Sequence, residues 1–137
     1  MPIPPLVNGV LPAGTYLADF SELVAVFDQP DSTTRLALNM ALWHAVTLIW
    51  SRDATAIVYV NGSYVTEKRD PVDVDIAVRS DIWDDTLFAT AFAAAYPGEV
   101  PLIDYYFNLT QSVQHMEELF RVVQGQRVLK GIIQLLP

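Results

Sequence analysis

The chain has 137 residues, 52% of them hydrophobic and 18% charged, and a formal net charge of −8. That balance describes one globular domain with room for a sizeable core, and it excludes a disordered acidic segment. The negative sign removes any general attraction for duplex nucleic acid or an anionic membrane, and the absence of cysteine removes disulfides and thiolate metal sites.

Residues 1–14 hold four prolines and two glycines and read as an extended arm without a ladder of its own. Met1-Pro2-Ile3-Pro4-Pro5 lacks the basic-then-apolar order of a secretory signal, so a cytoplasmic location is expected. Ala18 to Phe27 carries Phe20, Leu23, Val24 and Phe27 at helical spacing, and Gln29-Pro30 ends that segment. Asp31-Ser32 is a cap signal for a second helix running to about Trp50. This stretch, 32–50, is apolar nearly all round, through Leu36, Leu38, Met40, Leu42, Trp43, Val46, Ile49 and Trp50. Such a helix is covered either by its own fold or in part by a second subunit, so a homodimer through 32–50 is one expectation. Asn39, His44 and Thr47 make it too polar and too short to span a bilayer, and His44 is expected as a satisfied core histidine.

Ile57-Val58-Tyr59-Val60-Asn61 is a β-branched and aromatic run, a buried-strand signal, followed at once by Gly62-Ser63. A glycine there permits a positive φ or a close approach of the backbone to a ligand. A short helix starting at Ser63 would present free N–H groups to an anion such as a triphosphate. After a polar turn through Lys68, Arg69, Asp70 and Pro71 comes Asp73-Val74-Asp75-Ile76-Ala77-Val78. Its alternation puts Asp73 and Asp75 on one face of a strand and the aliphatic residues on the other. Two like charges so close raise each other's pKa unless a cation sits between them. Oxygen-only ligands point to Mg2+ or Mn2+ rather than zinc.

Ser80-Asp81 reads as the cap of a third helix, with Asp81, Asp84 and Asp85 in its first turn and an end before Pro97-Gly98. Val100 to Phe107 reads as a third strand, nearly all apolar, in which Asp104 is the one acid. A lone carboxylate buried there costs several kcal/mol unless it is paired or bound to a metal. Tyr106 shares its face, while Tyr105 and Phe107 suit the core. Ser112 reads as the cap of a short helix, 113–123, with Gly125 as a break and His115 facing solvent. The tail, 128–136, suits a last strand or a docking segment. The whole chain reads as a single domain, without internal repeat or interdomain linker.

Gly62-Ser63, nine further residues and Asp73-Val74-Asp75-Ile76 resemble the signature of the nucleotidyltransferase superfamily related to DNA polymerase β. The longer string Asn61-Gly62-Ser63-Tyr64-Val65-Thr66-Glu67-Lys68 through Pro71-Val72-Asp73-Val74-Asp75 is similar to a narrower group of small bacterial and phage nucleotidyltransferase-like proteins. Leu11-Pro12-Ala13-Gly14 and Lys130-Gly131-Ile132-Ile133 flank the motif in support. The resemblance implies a mixed α/β (α+β) domain, a small, partly antiparallel sheet with helices packed on one side. It implies that Asp73, Asp75 and Asp104 are the catalytic and metal-ligating acids, Asp104 being the third acid that such enzymes carry on the next strand. Gly62, Ser63, Thr66 and Lys68 would bind the nucleotide, with Thr66 orienting the Gly-Ser loop and Lys68, Arg69 and Arg79 within reach of phosphates.

Two divalent ions would then be held by Asp73 and Asp75, with Asp104 sharing one of them and accepting a proton from the attacking hydroxyl. The implied activity is metal-dependent transfer of a nucleoside monophosphate from a nucleoside triphosphate to an acceptor, a protein among the candidates. The alternative is a catalytically idle binding module on the same fold, antitoxin-like, working through a protein partner or a second copy. A plain α/β domain in which the motif is accidental stands as the third reading. The chain departs from small antitoxin-type relatives at Tyr64-Val65-Thr66.

Overall fold

The computed structural model describes residues 3–109, 122–123, 126–127 and 131–137. In chain order the strands are β1 (Thr15–Asp19), β2 (Ile57–Asn61), β3 (Val74–Arg79), β4 (Ile103–Phe107), β5 (Val122–Val123), β6 (Gln126–Arg127) and β7 (Ile132–Leu136). The helices are α1 (Phe20–Phe27), α2 (Thr33–Arg52) and α3 (Asp85–Ala95), with 3-10 turns at Ser63–Val65 and Pro97–Leu102. A five-stranded sheet runs in the order β1-β7-β2-β3-β4, and β5 pairs with β6 apart from it. β1–β7 and β3–β4 are parallel, whereas β7–β2 and β2–β3 are antiparallel. The expected mixed α/β domain, with a small and partly antiparallel sheet, is the fold observed.

Period-two alternation decides which face of the sheet is covered. Val58, Val60, Val74, Ile76, Val78, Ile133 and Leu135 all point into one core with the inner faces of the three helices. From α2 come Leu38, Leu42, Val46 and Ile49; from α3 come Phe88 and Phe92; from α1 come Leu23 and Phe27. The opposite face carries a smaller cluster, Tyr59, Ala77 and Ile132, with Leu109 against it. Asp75 lies on this second face.

Each helix begins where a side chain can satisfy its unpaired N–H groups. Asp19 and Glu22 form a reciprocal capping box at α1, Ser32 Oγ accepts the Arg35 N–H at 3.1 Å, and Asp84 accepts the Leu87 N–H at 2.7 Å. Three expected boundaries differ in the structure. Ala18 belongs to a strand, not to α1: β1 is only five residues long and is defined by its partner β7. The cap of α3 is Asp84, while the Ser80 hydroxyl instead accepts the N–H groups of Ile82 and Trp83 in the loop before it. β4 starts at Ile103 because Pro97–Leu102 turns as a 3-10 helix, with two prolines that cannot serve a ladder.

The tail is a strand, β7, placed between β1 and β2. The two flanking segments noted in the sequence meet there: Gly131 N–H donates to the Leu11 carbonyl and Ile132 N–H to the Gly14 carbonyl, each at 3.0 Å. A Cβ on Gly131 would strike the Pro12 carbonyl, which explains the glycine. The expected helix 113–123 lies outside the described residues except for Val122–Val123, which are strand β5 and not helix. Ser112, His115 and Gly125 also lie outside the described residues.

Candidate metal centre

β3 is an inner strand and β4 its parallel neighbour at the sheet edge. Their register sets Asp75 directly against Asp104, and the β2–β3 register sets Asn61 against Asp75. Asn61, Asp75 and Asp104 therefore form one row across three strands, and Asp73 stands just before β3. Each of the three acids offers a carboxylate oxygen lying within 4.8 Å of the others. Like charges directly opposite in a sheet are destabilising, and a cation among these three oxygens would relieve that repulsion. All the donors are oxygens, the set a hard divalent ion takes.

Asp73 and Asp75 are half-buried. Asp104 is exposed, which corrects the expectation of a lone buried carboxylate: β4 is an edge strand, and its outward positions meet solvent. Tyr106, on the same face, donates its hydroxyl hydrogen to Asp104 Oδ2 at 3.1 Å. Burial and then the charge of Asp104 push the Asp73 carboxyl above the usual carboxylate range, while a hydrogen bond with Asp75 and the Lys68 charge act the other way. Burial, the bond to Asp104 and the negative charges of Asp104, Asp75 and Asp73 together raise the Tyr106 phenol. The three carboxylates thus make one region of concentrated negative potential.

Gly62 is shaped by this cluster. Its φ of 81° and ψ of −165° fall in a region that only glycine occupies comfortably, and a Cβ there would collide with the Asp75 carboxylate. Its N–H donates to Asn61 Oδ1 at 2.7 Å. The 3-10 turn begins at Ser63, and the Thr66 hydroxyl donates to the Ser63 carbonyl at 2.6 Å.

The polar spacer between Gly62 and Asp73 is held from beneath by Arg35, which has no exposed surface. Its Nη1 donates to the Phe27 and Tyr64 carbonyls, its Nη2 to Thr66 and Lys68, and its Nε to Lys68. All five guanidinium donors are used, so burial of the charge is matched by hydrogen bonds. Tyr64 stands over the guanidinium at 5.4 Å and donates its hydroxyl hydrogen to Asn39 Oδ1. Gln29 Nε2 donates to the Glu67 carbonyl at 2.9 Å, and Glu67 N–H to the Gly9 carbonyl at 3.0 Å.

Of the basic residues around the motif, Lys68 acts on Asp73. Arg69 points away and donates to the Asp31 carbonyl at 3.2 Å. Arg79 lies at the far end of β3, four residues and ~13 Å from Asp75. His44 is satisfied but not core: it is half-buried at the surface of α2, with Nδ1 2.8 Å from Glu99 and its ring stacked on Tyr96 at 4.2 Å. Sequence reasoning gives no role at the site to Arg35, Asn39 or Asn61. A lone arginine inside an otherwise apolar helix is the available signal for Arg35.

The chain belongs to a family of unknown function, DUF6932, whose model matches residues 4–136. No curated protein and no solved structure matches it. Among the described residues no helix is long and apolar enough to cross a membrane.

Proposed function

We propose that this family member is a metal-dependent nucleotidyltransferase, moving a nucleoside monophosphate from a nucleoside triphosphate to an acceptor hydroxyl. The observation that carries the reading is the convergence of Asp73, Asp75 and Asp104, with carboxylate oxygens within 4.8 Å of one another, beside a glycine pressed against Asp75. Mg2+ or Mn2+ fits this oxygen-only donor set, and Asp73, Asp75 and Asp104 would hold it. Such an ion supplies charge for the triphosphate and lowers the pKa of an attacking hydroxyl.

The remaining work falls to the chain. Lys68, whose charge already acts on Asp73, would meet a phosphate oxygen. Gly62 and Ser63 would line the triphosphate, with Thr66 fixing the Ser63 carbonyl. The acceptor oxygen bonds to the α-phosphorus, the bond from that phosphorus to the bridging oxygen breaks, and pyrophosphate leaves. The hydroxyl proton passes to the Asp104 carboxylate, which is exposed and so within reach of an acceptor. Positioning and electrostatics do most of the catalysis, as in other phosphoryl transfers.

The test is thermal unfolding of the full chain with manganese or magnesium and each of the four ribonucleoside triphosphates, for wild type and Asp75→Ala. A ligand at about a hundred times its dissociation constant stabilises by about 2.7 kcal/mol, a shift of several degrees in a domain of this size. A metal-dependent shift with a triphosphate, absent in Asp75→Ala, is the expected result. No shift with any triphosphate overturns the reading in favour of a non-catalytic, antitoxin-like binding module.

A further inference from the structure

We infer that Asn61 is an oxyanion-binding residue, its side-chain amide donating to a phosphoryl oxygen of a metal-bridged polyphosphate, a role that rests on the proposed metal centre at Asp73, Asp75 and Asp104. Asn61 ends β2 and faces Asp75 across the β2–β3 pair, on the side of the sheet that carries Tyr59 and Ala77. Only 3% of its surface is exposed. The Gly62 N–H donates to Asn61 Oδ1 at 2.7 Å, which fixes the amide and commits its acceptor end. The donor end is left over: Nδ2 meets no acceptor among the described residues.

A buried donor without an acceptor costs the fold stability, and buried polar groups are otherwise almost always paired. Charge identifies the missing acceptor. A divalent cation alone is served by oxygens, and amide hydrogens carry partial positive charge, so a bare metal site has no use for them. The acceptor must also sit beside three carboxylates, which repel any anion that does not bring a cation with it. A polyphosphate chelating a divalent ion meets both conditions: the ion faces the acids and a non-bridging oxygen faces Nδ2. A neutral donor suits the position, because a lysine or arginine there would pair with Asp75 opposite and draw it from the metal. Asn61 thereby marks the acid cluster as a place for a metal with its anion, not for a metal alone.

Isothermal titration calorimetry of the full chain with manganese alone and with manganese tripolyphosphate tests this, for wild type, Asn61→Asp and Asn61→Leu, each checked for an unchanged circular dichroism spectrum. Tripolyphosphate carries the phosphates without base or sugar, so the result does not depend on which nucleotide the site prefers. Wild type is expected to bind both. Asn61→Asp keeps an acceptor for the Gly62 N–H but loses the donor. It is expected to bind manganese alone at least as tightly as wild type and the tripolyphosphate complex about tenfold more weakly. Asn61→Leu, which removes the donor without adding charge, is expected to hold manganese as wild type does and to weaken the complex to a similar degree. A wild type that does not bind manganese tripolyphosphate, an Asn61→Leu variant that binds it as well as wild type, or equal losses of manganese and of the complex would overturn the inference. Failure of the proposed transfer reads differently: no nucleoside triphosphate then shifts the melting temperature of wild type.

Discussion

Removing one acid from the cluster should stabilise the metal-free protein. In Asp73→Asn the replaced carboxylate is half-buried and has Asp75 and Asp104 oxygens within 4.8 Å. At that separation each like-charge pair costs about 1 kcal/mol even at the dielectric constant of water. The metal-free variant should therefore gain about 1–2 kcal/mol at pH 7, or about 4–8 °C in melting temperature. The sign follows from linkage. The Asp73 carboxyl is raised in the folded state, so its relative contribution is favourable below the ordinary carboxylate pKa and is lost as pH rises through the raised value. The advantage of the variant over wild type should be full at pH 7 and close as the buffer is taken down through the carboxylate range. With manganese added the order should invert, because wild type gains a ligand-dependent shift that the variant has lost. The assay is differential scanning fluorimetry in chelator and in manganese across pH. A metal-free variant that melts below wild type at pH 7, or one that keeps the full manganese shift, would refute the cluster as a cation site.

Gly62→Ala should lose about 2–5 kcal/mol by urea denaturation, from a backbone conformation reserved to glycine and from displacement of Asp75. A loss below about 1 kcal/mol would contradict the positive φ. Arg35→Ala leaves four buried or partly buried carbonyls short of a donor and should cost about 3–5 kcal/mol. Arg35→Lys, with three donors in place of five, should be cut by trypsin after Lys68 and Arg69 faster than wild type in a matched time course. Asp53 accepts hydrogen bonds from Ser80 first and then Thr55, which hold its carboxyl below the usual range. Its stabilisation is present above the ordinary carboxylate pKa and lost as pH falls through the lowered one, so the melting difference between wild type and Asp53→Asn should shrink on that acid limb.

Features set by neighbours along the chain are legible in the residues themselves. The Asp-aliphatic alternation of 73–78 announces a strand with acids on one face, and the run 57–61 matches β2 residue for residue. Ser32 is readable as a cap because a capping hydroxyl acts on an N–H only three residues away. Gly62 is readable as a special backbone position, although its reason, the Asp75 carboxylate, is not. β1 escapes such reading because five residues with no period of their own become a strand only by pairing with β7, more than a hundred residues later.

The sequence alone therefore determined which residues are acids, how they alternate, and that glycine and serine follow a strand, since local covalent geometry settles those relations. Only the tertiary structure decided that Asp104 stands opposite Asp75 at an exposed edge, and that Arg35 holds the intervening loop. It also decided that the two prominent faces of α2 differ, one closed in the core and the other open. Register, edge position and burial depend on contacts between distant segments, whose free energies belong to the whole packed sheet and not to any single stretch of chain.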